Sequence, residues 1–150
     1  MKKLLLFATL LGAAQLGPGC RHDADVRPGN YDTLAQATGH WDWEKTAYDA
    51  GPRTPASTGF TRYVVFGQNG QLTVKRNGQD YYQTGYRLST RSGPAPTDSL
   101  ATYASEKDLY NNDVKTYRIR QQNGQRVLTL VGELVPVDGG AIETYHWVAE

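Results

Sequence analysis

Between Phe60 and Ser89 the chain reads FTRYVVFGQNGQLTVKRNGQDYYQTGYRLS, three runs of β-branched, aromatic and long polar residues separated by Asn69-Gly70 and Asn77-Gly78. Asn-Gly between such runs marks a hairpin, because both residues tolerate the positive φ of a tight turn. The apolar phase also chooses the register. A two-residue loop at Asn69-Gly70 sets Phe66 opposite Thr73, whereas a three-residue loop, Gln68 to Gly70, sets Phe66 opposite Leu72 and Val64 opposite Val74. Cross-strand partners share a face, so only the longer loop builds an apolar face. A type I turn with Gly70 left-handed in a bulge is therefore predicted. At Asn123-Gly124 the choice reverses, since a two-residue loop matches Ile119 with Leu128 and Tyr117 with Leu130. At Asn77-Gly78 a two-residue loop pairs Lys75 with Asp80 but sets Tyr81, rather than Tyr82, beside Val74; Gly85 is the candidate for a bulge that restores the phase.

The same alternation predicts the other strands. Trp41 and Trp43 share one face of Gly39–Lys45, with His40, Asp42 and Glu44 on the other. Asp49 to Ser57 carries Gly51-Pro52 and Pro55 and reads as a loop, as does Thr90 to Asp98 with Pro94 and Pro96. Leu100 to Ser105 is a short strand ended by Glu106-Lys107-Asp108, and Asn111 to Asp113 is a turn. Val114 to Gln121 alternates Tyr117 and Ile119 against Arg118 and Arg120. Gln125 to Leu134 follows, then a turn at Pro136–Gly140 and a last strand, Ile142 to Val148. A short helical turn over Tyr31–Thr38, capped by Asp32 and stopped by Gly39, precedes them. Eight successive antiparallel strands dispose of their edges most simply by closing. The expected fold is all-β, an eight-stranded up-and-down meander closed into a small barrel over 31–150.

Residues 1–30 belong elsewhere. Lys2 and Lys3, the apolar run Leu4–Leu11 and a small-residue stretch before Gly19-Cys20 have the layout of an export signal over 1–19. Cys20 is the chain's one cysteine. Its position resembles the lipobox of bacterial lipoproteins, in which the cysteine becomes the first mature residue and is acylated; here Gly17 replaces the usual leucine three places before it. Several acyl chains give durable membrane attachment where one is marginal. Arg21–Asn30 then reads as a polar tether. Once Lys2 and Lys3 leave with the signal, 14 basic residues face 15 acidic ones. Lys75-Arg76 reads as the solvated end of a hairpin, and nothing recommends a nucleic-acid partner.

The order Gly39-x-Trp41, a Gly/Pro loop from Gly51 to Gly59, the hairpin Phe66–Gly70, Gly85-Tyr86, Leu128–Leu130 and a final strand with Tyr145 resembles the lipocalin and wider calycin group. It is most similar to the small lipocalin-like domains of exported bacterial lipoproteins. The resemblance implies an outer-membrane or periplasm-facing barrel that binds a small hydrophobic ligand. It also implies an arginine near the last strand stacked on the first-strand tryptophan, where this chain offers His146. The family's Thr-Asp-Tyr loop is replaced by Thr97-Asp98-Ser99.

Catalytic chemistry has little to stand on. His22, with Asp23 and Asp25, lies in the tether; His40 is on the polar phase of its strand, and His146 shares a phase with Ile142, Thr144 and Val148. No Ser-His-Asp order is recognisable, an acylated Cys20 is no nucleophile, and no His or Cys pair has metal-ligand spacing. Asp42 and Glu44 form a same-face pair of the kind that is usually just solvated. The expectation is a non-enzyme without cofactor or metal. Inward-facing Trp41, Trp43, Phe66, Tyr82, Tyr86, Tyr117 and Tyr145 are the candidate ligand-binding residues. They line a pocket for an apolar or planar ligand in one reading. In the other they fill the barrel, which then serves as an interaction or structural module of the envelope, and short strands with bulky side chains favour filling.

Overall fold

In the computed structural model the described residues are 31–36, 38–48, 50–90, 99–104, 112–132 and 141–150. The signal, Cys20, the tether with His22, the Pro94/Pro96 loop, Glu106–Asp108 and the Pro136–Gly140 turn lie outside them. Eight strands occur: β1 (His40–Ala47), β2 (Arg62–Phe66), β3 (Gln71–Arg76), β4 (Gln79–Thr90), β5 (Ser99–Ala104), β6 (Asn112–Gln122), β7 (Gln125–Gly132) and β8 (Ile142–Val148). Each pairs antiparallel with the next, and β8 returns to β1, so the meander closes into a barrel. Two helical turns, α1 (Tyr31–Leu34) and α2 (Pro55–Thr58), complete the described structure. Asn112 and Asp113 already belong to β6, and the turn expected there is a strand start.

The hairpin registers follow the apolar phase. Phe66 pairs with Leu72 and Val64 with Val74. Gly70 has φ +78°, and its N–H donates to Gly67 O at 3.0 Å across the three-residue loop. Tyr117 pairs with Leu130 and Ile119 with Leu128. Asn123 and Gly124 both take positive φ, 53° and 77°, which two-residue hairpin turns require. Asn77 and Gly78 do the same, at 49° and 78°, and pair Lys75 with Asp80.

The phase correction in β4 comes earlier than the glycine suggests. The register slips between Val74 and Lys75, so that Tyr82 meets Val74, while Gly85 sits in regular register opposite Gln71. The extra residue is accommodated beside the turn, and Tyr81 is left largely exposed with its ring 3.9 Å from the Arg76 guanidinium. A second bulge falls between Trp43 and Lys45. It ends the simple alternation of β1 after Glu44, so Asp42 and Glu44 stay together on the solvated face while Lys45 joins them there. Glu44 salt-bridges Lys45 at 3.4 Å, and Thr46 turns inward.

The loop expected at Asp49–Ser57 contains α2. Pro55 opens it, Thr54 and Ser57 exchange side-chain and backbone hydrogen bonds in a capping box, and left-handed Gly59 stops it. The core is one cluster inside the barrel: Val64, Phe66, Leu72, Val74, Leu128, Leu130 and the inward aromatics, with Leu34 and Ala35 of the α1 segment packed on it. Burial of each Leu, Val or Phe stabilises by about 1.5–3 kcal/mol.

Candidate functional site

The interior has two ends of different chemistry. At the α1 end, Trp41 is fully buried and its indole N–H donates to Leu34 O at 2.9 Å, tying the helical turn to the core. Trp147 meets Trp41 edge-on at 5.0 Å. The Arg126 guanidinium lies 4.5 Å from the Trp147 ring and 6.0 Å from the Trp41 ring, and donates to Gln36 Oε1 at 2.9 Å. A stacked arginine is thus present, but it comes from β7. His146, the residue the last strand offered for this place, points outward and lies 3.8 Å from Asp42.

The middle of the barrel is aromatic. Phe66 is edge-on to Tyr86 at 5.1 Å and to Tyr103 at 6.3 Å, and the Tyr86 hydroxyl donates to Gly67 O at 2.7 Å. Tyr117 is buried, and burial pushes its phenol up to about 12 against the lowering effect of a hydrogen bond with Ser99.

The far end is charged. Glu143 is 6% exposed and accepts from Lys115 Nζ at 2.5 Å, from Arg62 Nη2 at 3.5 Å and from the Tyr145 hydroxyl. Asp113 lies 4.0 Å from Lys115, and the Lys115 ammonium is 5.3 Å from the Tyr103 ring. Burial raises the Glu143 carboxyl, but the charges of Lys115 and Arg62 and the hydrogen bonds from Lys115 and Tyr145 outweigh it and hold it at about 2. Burial first, then the Glu143 charge, pushes the Tyr103 phenol well above its ordinary value; Tyr145 moves the same way by burial, against the Arg62 charge. The result is an ionised acceptor surrounded by donors, joining β2, β6 and β8 across the interior.

Of the seven aromatic candidates, Trp41, Trp43, Phe66, Tyr86, Tyr117 and Tyr145 are buried in the core, and half-buried Tyr82 packs against it. Trp43 donates to Thr46 Oγ1 at 2.9 Å and stacks on Phe60 at 5.8 Å. Phe60 in turn lies 4.3 Å from the Arg76 guanidinium, so Arg76 is a half-buried residue of the far end rather than a solvated hairpin tip. Comparison with protein families, curated proteins and solved structures finds no match to this chain. Any function must therefore be argued from the residues.

The charged residues are what the sequence reading missed. Their signal was phase: Arg62 shares it with Val64 and Phe66, Lys115 with Tyr117, and Glu143 with Tyr145. Outside the barrel, His40 lies 3.3 Å from Asp42 and 3.0 Å from Glu150, a seam of polar groups over β1 and β8. Among the described residues no group of three His, Cys, Asp or Glu is placed to hold a metal ion. A groove of about 300 Å3 also lies on the outer face, lined by Thr116, Arg118, Arg120, Thr129 and Val131.

Proposed function

We propose that this chain is an exported, lipid-anchored, lipocalin-like barrel that serves the envelope as a non-enzymatic binding module. Its interior is occupied by its own side chains, and it meets partners through its outside. The observation that carries this reading is the packing of the candidate ligand-binding aromatics. Trp41, Phe66, Tyr117 and Tyr145 are at most 2% exposed and are engaged with one another's neighbours, with α1 and with the Glu143 network. An eight-stranded barrel has room for side chains or for one small guest, and bulky rings with an internal ion pair take that room. Attachment through Cys20 and spacing by Arg21–Asn30 are supported by the sequence layout.

Native mass spectrometry of the mature protein after gentle purification tests the filled interior. A mass matching the protein and its acyl groups alone is expected. A co-purifying small hydrophobic molecule would overturn the reading in favour of a carrier whose guest lies among Trp43, Tyr82 and Tyr86. The anchor is tested separately by Cys20→Ser, which is expected to move the protein from the membrane fraction to the soluble one.

A further inference from the structure

Arg118 and Arg120 belong to the groove on the outer face of the β6–β7 hairpin rather than to a featureless solvated surface. Thr116, Arg118 and Arg120 leave β6 on the outward phase, while Thr129 and Val131 leave β7 beside them. In the ladder, Arg118 stands opposite Thr129 and Thr116 opposite Val131. Alternate residues of one strand lie about 7 Å apart, so the two guanidinium groups can reach one oxyanion from two sides. Guanidinium is a planar fork of donors matched to phosphate or carboxylate, and the threonine hydroxyls can add two more donors. Charge separates the two anions. A carboxylate balances one of the two arginines, whereas a phosphate monoester carries a charge of about −1.5 to −2 at neutral pH. Volume limits the rest of the ligand. At about 300 Å3 the groove falls at the small end of ligand sites, which suits a phosphate with a short body against Val131 rather than a long chain.

We propose that this groove is a binding site for a phosphate monoester, gripped by Arg118 and Arg120 and oriented by Thr116 and Thr129. The proposal rests on the reading that the barrel binds from its outside. The phosphate can belong to a small free ligand or to a lipid headgroup, and the experiment separates the two.

The mature chain carrying Cys20→Ser, so that acyl chains contribute nothing, is titrated with glycerol 3-phosphate at low salt and followed by amide NMR shifts. In a second arm it is sedimented with phosphatidylcholine vesicles, with and without phosphatidic acid. Saturable binding is expected in at least one arm, with shifts centred on β6 and β7. Losing two charge-assisted contacts in Arg118→Gln/Arg120→Gln should weaken binding roughly tenfold or more, and Thr129→Val should weaken it less. Both arginines are exposed, so the variant is expected to keep the circular dichroism of the parent. Binding in the soluble arm alone assigns a free phosphate ester, and binding in the vesicle arm alone assigns a headgroup. Absence of binding in both arms overturns the proposal, as does unchanged affinity in either variant, or propionate binding as tightly as glycerol 3-phosphate. Native mass spectrometry of the interior scores the filled-barrel reading independently, so the two failures are distinguishable.

Discussion

Acid should weaken this barrel through Glu143, and the size of the effect can be worked from its surroundings. In the unfolded chain the carboxyl takes its ordinary value of 4.5, and in the barrel the network holds it at about 2. A folded value below the unfolded one means that the contribution is fully present above pH 4.5. It is lost progressively as the pH falls from 4.5 towards 2. At about 1.4 kcal/mol per pH unit the difference amounts to roughly 3 kcal/mol, a large part of the 5–15 kcal/mol typical of a domain. Other carboxylates titrate over the same range, so the comparison must be with Glu143→Gln, which is nearly isosteric and does not titrate. Urea unfolding of both proteins at pH 7, 5, 4, 3 and 2.5 gives the difference in stability at each pH. That difference should be constant above pH 5 and shrink by about 2 kcal/mol or more by pH 2.5. A difference that stays flat across the whole range would show that Glu143 is not held ionised by Lys115 and Arg62, and the account of the far end would fall.

Three further predictions follow the same contacts. Lys115→Met leaves Glu143 buried beside one fewer cation and should cost about 3–5 kcal/mol in urea unfolding, while Lys115→Met/Glu143→Leu should recover most of it, because an apolar pair of similar volume replaces a buried ion pair at little cost. Gly39→Ala should destabilise far more than Gly124→Ala: at Gly39, with φ +115°, a Cβ would collide with Val148 O and come within 2.5 Å of the Trp147 ring, whereas at Gly124 it meets nothing within 4 Å and pays only for its φ of +77°, about 1 kcal/mol. Arg126→Ala removes the stack on Trp147 and the bond to Gln36, and should cost about 1–2 kcal/mol with a red shift of tryptophan emission as Trp147 becomes wetter.

Much of the barrel is legible in the sequence because its information is local. Asn-Gly pairs fix the turns, and matching Val64 with Val74, or Tyr117 with Leu130, fixes the registers, so strand order follows from succession alone. What is not legible depends on a third strand or on a charge. The β4 slip sits beside Tyr81 because a two-residue turn binds Lys75 to Asp80 while the core requires Tyr82 next to Val74. The pattern demands an extra residue but does not say where. Arg126 reads as a polar position of a hairpin until β8 brings Trp147 beneath it. The inward charges are hidden for a different reason: hydrophobic patterning treats Arg62, Lys115 and Glu143 as the ends of a buried face, although strand geometry carries that face straight through them.

Those inward charges bear on what the interior can do. An ionised carboxylate joined to a lysine, an arginine and a phenol places charge, not apolar surface, in this part of the interior. Separating Glu143 from Lys115 without replacing the pairing strands a charge in a medium of low dielectric. At the other end, α1 is tied down by the Trp41 indole and by Gln36 on Arg126. Each end of the described interior therefore carries a specific polar contact beside the core. Satisfied contacts of this kind hold one arrangement of the strands. On the proposed reading, the outward arginines of β6 offer a contact surface that can be used while these interior contacts stay intact.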